Sequence, residues 1–235
     1  MRIILLAIIL TISVLSNAQQ KTTYYYRHTM VMGDNALDEM VAHFNKRIQD
    51  DSPQKDSSKA CLSPQQIAQL NEMHQEFSEQ PFTMQEVYSI EKEEVFLIQD
   101  ASNVLKFNFE KGIYTKGYNF VDKGKEVTSF DPTEQELTKV VTTIKRTDSL
   151  KSINDYECVL FLLTIQYEQE PNDALAKENI MIWATRSLLP ALPVQAVLML
   201  KKPVKEMEHY TPVMMTTSSP NFSDSKDVMI LEKVN

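Results

Sequence analysis

The sequence predicts an α+β fold: a curved antiparallel β-sheet packed on, or partly closed by, a few helices. Three observations predict it. Short apolar stretches of strand length recur at fairly regular spacing from Phe82 to the C-terminus, helical spacing is confined to two segments before residue 80, and alternating βαβ units are absent. A doubly wound parallel sheet is thereby disfavoured.

The chain opens on "MRIILLAIILTISVLSNA", with one positive charge at Arg2, an apolar run from Ile3 to about Leu15, and a small polar end at Ser16, Asn17 and Ala18. This pattern predicts a secretory signal peptide over residues 1–18, cleaved after Ala18. A transmembrane anchor would need a run of roughly 18 or more apolar residues, and this one is shorter and broken by Thr11 and Ser13. No cysteine stands near the cleavage point to take a lipid, so the mature chain is expected to be exported without being a lipoprotein. Residues 19–235 are expected to form a single domain.

"TTYYYRHTMVM", Thr22 to Met32, is rich in β-formers and reads as the first strand. Helical spacing of Leu37, Met40, Val41, Phe44 and Ile48 predicts a helix capped by Asn35. The polar Gln49–Ala60 segment reads as a loop. A second helix begins at Ser63 as N-cap, with Pro64 at the first turn and Gln66 completing a capping box, and Ile67, Leu70, Met73 and Phe77 as its apolar stripe.

"FTMQEVYSI" and "EVFLIQD" predict a hairpin across Glu91–Glu94. "NVLKFNFE" and "GIYTKGYNFV" predict the next pair. "DPTE" from Asp131 predicts a short helical turn and "VVTTIKRT" a strand after it. Cys158–Ile165 is apolar at successive positions, which predicts a strand covered on both faces. "IMIWATRSL", "VQAVLML", "TPVMMTT" and "DVMILEKV" supply the remaining predicted strands.

With Arg2 removed, 23 basic residues face 32 acidic ones, a net charge near −9. That charge repels nucleic acid and anionic headgroups. Four glycines, at positions 33, 112, 117 and 124, form neither GxGxxG nor GxxxxGK[ST], so the phosphate-cradling enzyme classes are set aside. His28, His43, His74 and His209 are scattered, with no HExxH and no CxxC, and neither metal nor cofactor is expected. GxSxG is absent too. Glu93 with Glu94 and Glu168 with Glu170 read as solvated turn charges, which leaves a hydrolase with dispersed carboxylates as the weakest alternative.

Cys158 sits beside Asp155 and Glu157, which disfavour a thiolate nucleophile. Two structural readings remain for the cysteines. A Cys61–Cys158 disulfide would stabilise by about 4–5 kcal/mol in the chain-entropy model, and separately buried thiols are the other possibility. The eleven methionines left after cleavage, with Trp183 and many Phe and Tyr, suit either an apolar ligand cavity or an ordinary core.

The segment "IKRTDSLKSINDYEC", followed by an apolar strand and "ENIMIWATRSL", resembles exported Bacteroidota families of unknown function, the GLPGLI-type proteins and their relatives similar to the LolA/LolB-like lipoprotein carriers. Lys151, Ile153, Tyr156, Cys158, Trp183, Thr185 and Leu188 occupy the family positions, while Asp155 stands where a glycine usually precedes the tyrosine. The resemblance covers roughly Val140 to Leu200. It implies a half-barrel around helices with an apolar concavity, located in the periplasm or at the outer surface of a Gram-negative cell. No catalytic residues are implied.

The resulting expectation is a non-enzymatic binding protein for a lipid or other amphipathic ligand. Trp183, Phe161, Leu105 and Phe107 are its candidate cavity walls, chosen for size and strand placement. The alternative is an envelope protein-interaction module with a filled core.

Overall fold

The structure, a computed structural model, describes residues 21–31, 33, 37–38, 41–42, 45, 62–79, 81–167, 177–218 and 225–235. The signal segment, most of the Asn35–Ile48 helix, the Gln49–Ala60 loop and Cys61 lie outside the described residues.

Among the described residues, eleven strands form one antiparallel sheet: β1 (Thr22–Val31), β2 (Phe82–Glu91), β3 (Glu94–Ile98), β4 (Asn103–Asn108), β5 (Ile113–Asp122), β6 (Lys125–Glu136), β7 (Val140–Ile153), β8 (Tyr156–Tyr167), β9 (Lys177–Thr185), β10 (Thr211–Ser218) and β11 (Lys226–Val234). Helices α1 (Pro64–Glu79) and the single-turn α2 (Val194–Val197) accompany it, with a 3₁₀ turn at Lys205–Met207, and the described residues Leu37, Asp38, Val41, Ala42 and Asn45 are also helical. The capping box at α1 forms as its sequence predicts. Ser63 Oγ accepts from the Gln66 amide at 3.3 Å, and Gln66 Oε1 accepts from the Ser63 amide at 2.8 Å.

Three hairpins share one turn chemistry. Lys92 and Glu93, Lys123 and Gly124, and Asn154 and Asp155 each adopt paired positive φ, the conformation that matches strand twist in two-residue turns.

Strand order is β6-β5-β4-β3-β2-β1-β11-β10-β9-β8-β7, so the two edges are strands consecutive in the chain. Only Leu137–Lys139 joins them. Laid flat, an 11-stranded sheet would separate its edges by about 48 Å at the usual strand spacing. The link spans at most about 14 Å. The sheet is therefore rolled. Because neighbours alternate in direction, β6 and β7 run in the same sense and cannot close as a hairpin.

The seam is tied instead by the long connection between β9 and β10. The Thr138 amide donates to Met199 O at 3.0 Å, the Lys201 amide donates to Thr138 O at 2.9 Å, and Lys201 Nζ reaches Glu136 at 3.3 Å. Gly112 lies beneath Lys201 at φ +66°, and its carbonyl accepts from the Leu137 amide at 3.0 Å. A β-carbon there would stand 2.5 Å from Lys201 Cγ. The lysine stem can yield, so the backbone strain dominates. Gly112→Ala is expected to lower stability by about 1–2 kcal/mol, measured by urea unfolding.

The connection itself, Arg186–Tyr210, fills the roll. Leu192, Val194, Ala196, Leu200, Val204, Met207 and Tyr210 are all buried, in one cluster with Tyr24, Tyr26, Phe107, Phe161, Ile182 and Leu231. At about 1.5–3 kcal/mol for each large apolar side chain, this segment is a principal source of cohesion. Several polar groups around this connection are paired within the fold. Tyr24 Oη donates to Pro190 O, Tyr26 Oη donates to Pro212 O at 2.6 Å, and the Leu192 amide donates to Thr211 Oγ1 at 3.0 Å.

Three expectations are corrected. "DPTE" is not a helix start: Glu134, Gln135 and Glu136 pair with β5, and Asp131 Oδ1 accepts from the Thr133 amide at 2.8 Å, a local turn beside a bulge in β6. "VQAVLML" is not a strand, because its apolar residues pack into the roll from α2 and the turn after it. Strand β8 is covered fully on one face only, since Leu162 on the other is exposed.

Candidate functional site

Pairing of β8 with β9 sets Phe161 opposite Ile182 and Leu160 opposite Trp183. Phe161 therefore belongs to the core face, where the Tyr210 ring meets it edge-on at 4.9 Å. Leu105 and Phe107 of β4 join the same buried cluster. Trp183 does not. It is half-buried on the opposite side of the pleat from Ile182, packed against the margin of the cluster, with Lys151 Nζ 5.8 Å from its ring centroid. Of the four candidate walls, three are thus brought together in one buried cluster, and an indole chosen for size alone falls on the other side of the pleat.

Cys158 is a free thiol with no exposed surface, its Sγ donating to Tyr156 O at 3.4 Å. Burial pushes the thiol up to about 11. Thiolate is the reactive species, so Cys158 is expected to resist a thiol reagent at pH 8 in the folded protein and to react once urea unfolds it.

Along the core face of β1 and β2, burial falls steadily toward one end. The row begins at Tyr24 beside Tyr88, passes Tyr26 with Glu86 and His28 with Met84, and ends at Met30 with Phe82. Tyr24 and Tyr26 are 0% exposed, whereas Met30, Met84 and Phe82 are 38–40% exposed. Helix α1 packs against β1, with His74 Nε2 at 3.0 Å from Gly33 O. Its Ile67 and Leu70 are only half-buried.

A polar cluster marks the change from filled to open. His28 Nδ1 lies 3.0 Å from Glu86 Oε1, His28 Nε2 pairs with Asp227 Oδ1, and Tyr88 Oη donates to Glu86 Oε2 at 2.7 Å. Hydrogen bonding to Asp227, then to Glu86, raises His28 to about 10. Burial works to raise the Glu86 carboxyl, and hydrogen bonds from His28 and Tyr88 outweigh it, so the net shift is downward. Sequence reasoning passed over this cluster because its members are 58 and 199 positions apart. The available signal was parity: His28 shares its face with Tyr24 and Tyr26.

Among the described residues, no group of three His, Cys, Asp or Glu is placed to hold a metal ion, and no helix is long and apolar enough to cross a membrane.

Fold and site together define an open, rolled antiparallel sheet whose own β9–β10 connection forms part of its core. No protein-family model matches the chain, and no curated protein matches it. Among solved structures, it is similar to a DUF1329 family protein from Desulfovibrio piger, at 4% identity and a TM-score of 0.27, over 96% of this chain and 89% of that one.

Proposed function

We propose that this is an exported, non-enzymatic binding protein that takes an apolar or amphipathic ligand of lipid type at the open end of its core face. One observation carries the reading: Met30, Met84 and Phe82 continue the buried tyrosine row yet remain well exposed. Methionine adapts its shape to irregular apolar partners. The apolar body of the ligand would lie on these three residues, and its polar end would meet the His28, Glu86 and Asp227 cluster. Leu105, Phe107 and Phe161 support the floor without touching the ligand. Periplasmic or outer-surface location and the likeness to lipoprotein carriers belong to the same proposal.

Mass spectrometry of an organic extract from protein purified out of its native envelope tests it. A lipid retained stoichiometrically by the wild type and lost in Met84→Lys is the expected result. Extracts with no retained lipid would end the proposal.

A second reading has its own observation. Leu162 and Met181 are exposed on the outer face beside half-buried Leu160, Trp183 and Met214. An envelope protein could dock on that patch. Met181→Lys would then remove a co-purifying protein while leaving any bound lipid in place.

A further inference from the structure

On the outer face of the β2–β6 region, away from the lipid site proposed above, lies a groove of about 450 Å³. Phe96, Ile98, Val104 and Phe130 supply its apolar surface, and Ser89 also lines it. Gly117 makes the groove possible. Phe130 lies over its bare backbone, where a β-carbon would stand 2.7 Å from the ring. The Phe96 and Phe130 rings stand 6.4 Å apart, tilted by 37°.

Ser89 is the unusual residue. It is 1% exposed, and its Oγ has no hydrogen-bond partner among the described residues. A buried hydroxyl left unpaired is costly, and native structures seldom keep one without a reason. Here it borders a groove large enough for a small molecule. The nearby cations are already matched: Lys21 pairs with Glu91 at 2.7 Å, and Lys106 pairs with Glu94 at 2.6 Å. On the rim, Thr128 Oγ1 donates to Asn119 Oδ1 at 2.7 Å.

We propose that this groove is a second binding site, for a small uncharged molecule with a planar apolar body and one hydrogen-bonding group that pairs with Ser89. The rings and Val104 hold the body, and the hydroxyl selects for the polar group. With Lys21 and Lys106 each matched to a carboxylate, and Glu91 and Glu126 on the lining, an anionic derivative is disfavoured.

Indole and indene, nearly identical in shape, test the proposal by titration followed by protein NMR. Indole is expected to bind saturably, about tenfold more tightly than indene, which lacks the N–H to donate to Ser89 Oγ. Shifts should centre on Ser89, Phe96 and Phe130, and indole-3-carboxylate should bind more weakly than indole. Ser89→Ala should erase the preference for indole over indene without lowering thermal stability. Equal affinity for indole and indene in the wild type, tighter binding of the carboxylate, or no saturable binding at all would each overturn the proposal. Retained lipid is expected to be unaffected by Ser89→Ala, which keeps this test separate from the one for the core-face site.

Discussion

Phe161→Ala is expected to destabilise the protein by about 3–5 kcal/mol, read as a drop in the urea midpoint with little change in slope. Phe161 is 0% exposed and lies where β8 meets the Arg186–Tyr210 connection. Its ring meets the Tyr210 ring at 72°, an edge contact, and the Arg186 guanidinium sits 4.4 Å from the Tyr210 centroid on top of it. Truncation removes the transfer energy of a whole ring and leaves a cavity that rolled strands cannot easily collapse. It also takes away the surface on which Tyr210 rests. Domains hold only about 5–15 kcal/mol in all, so the variant would keep little reserve. Trp183→Ala provides the contrast. That indole is half-buried at the margin of the core, on the other side of the pleat, and its loss should cost about 1–2 kcal/mol. Equal losses for the two variants would contradict the facing assigned by the β8–β9 register.

The two aromatics also show how far the sequence could be read. Alternation within β8 is local information, and it places Phe161, Leu163 and Ile165 on one buried face, yet Cys158, at the opposite parity, joins the same core cluster. Whether Trp183 shares a face with Phe161 depends on the register between strands, which no spacing within either strand reveals. Turn chemistry was legible at Ser63, where the cap and its partner are three residues apart. It misled at Asp131, because an Asp-Pro start serves an Asx turn within a strand as readily as a helix cap. The curved antiparallel sheet was legible from the recurrence of short apolar runs. Its filling was not: "VQAVLML" has strand-like composition, and only the roll of the sheet around Leu192, Leu200 and Met207 makes it core. The candidate site suffered in the same way, since His28, Glu86 and Asp227 come from three different strands.

At neutral pH His28→Gln should cost about 2 kcal/mol, and it should also flatten the dependence of stability on pH above neutrality. Both ring nitrogens face carboxylate oxygens, and a neutral imidazole has only one N–H to give. The doubly protonated ring satisfies both. His28 is accordingly raised to about 10 in the folded protein, by hydrogen bonds to Asp227 first and Glu86 second, against an unfolded value near 6.5. A raised pKa of this kind stabilises fully below the unfolded value and is lost as pH climbs through the folded one. Wild-type stability should therefore decline between about pH 6.5 and 10. The magnitude stays modest because Asp227 is 39% exposed and its pairing is screened. In His28→Gln, Glu86 and Asp227 lose the cation between them. Cys158 also titrates toward the alkaline limit, so the comparison is best made from pH 6 to 8.5, by urea unfolding of both proteins. A difference between the two that shrinks as pH rises is the expected outcome. Parallel profiles would mean that the imidazole is neutral in the fold, and the electrostatic account of the boundary between filled and open core face would fall.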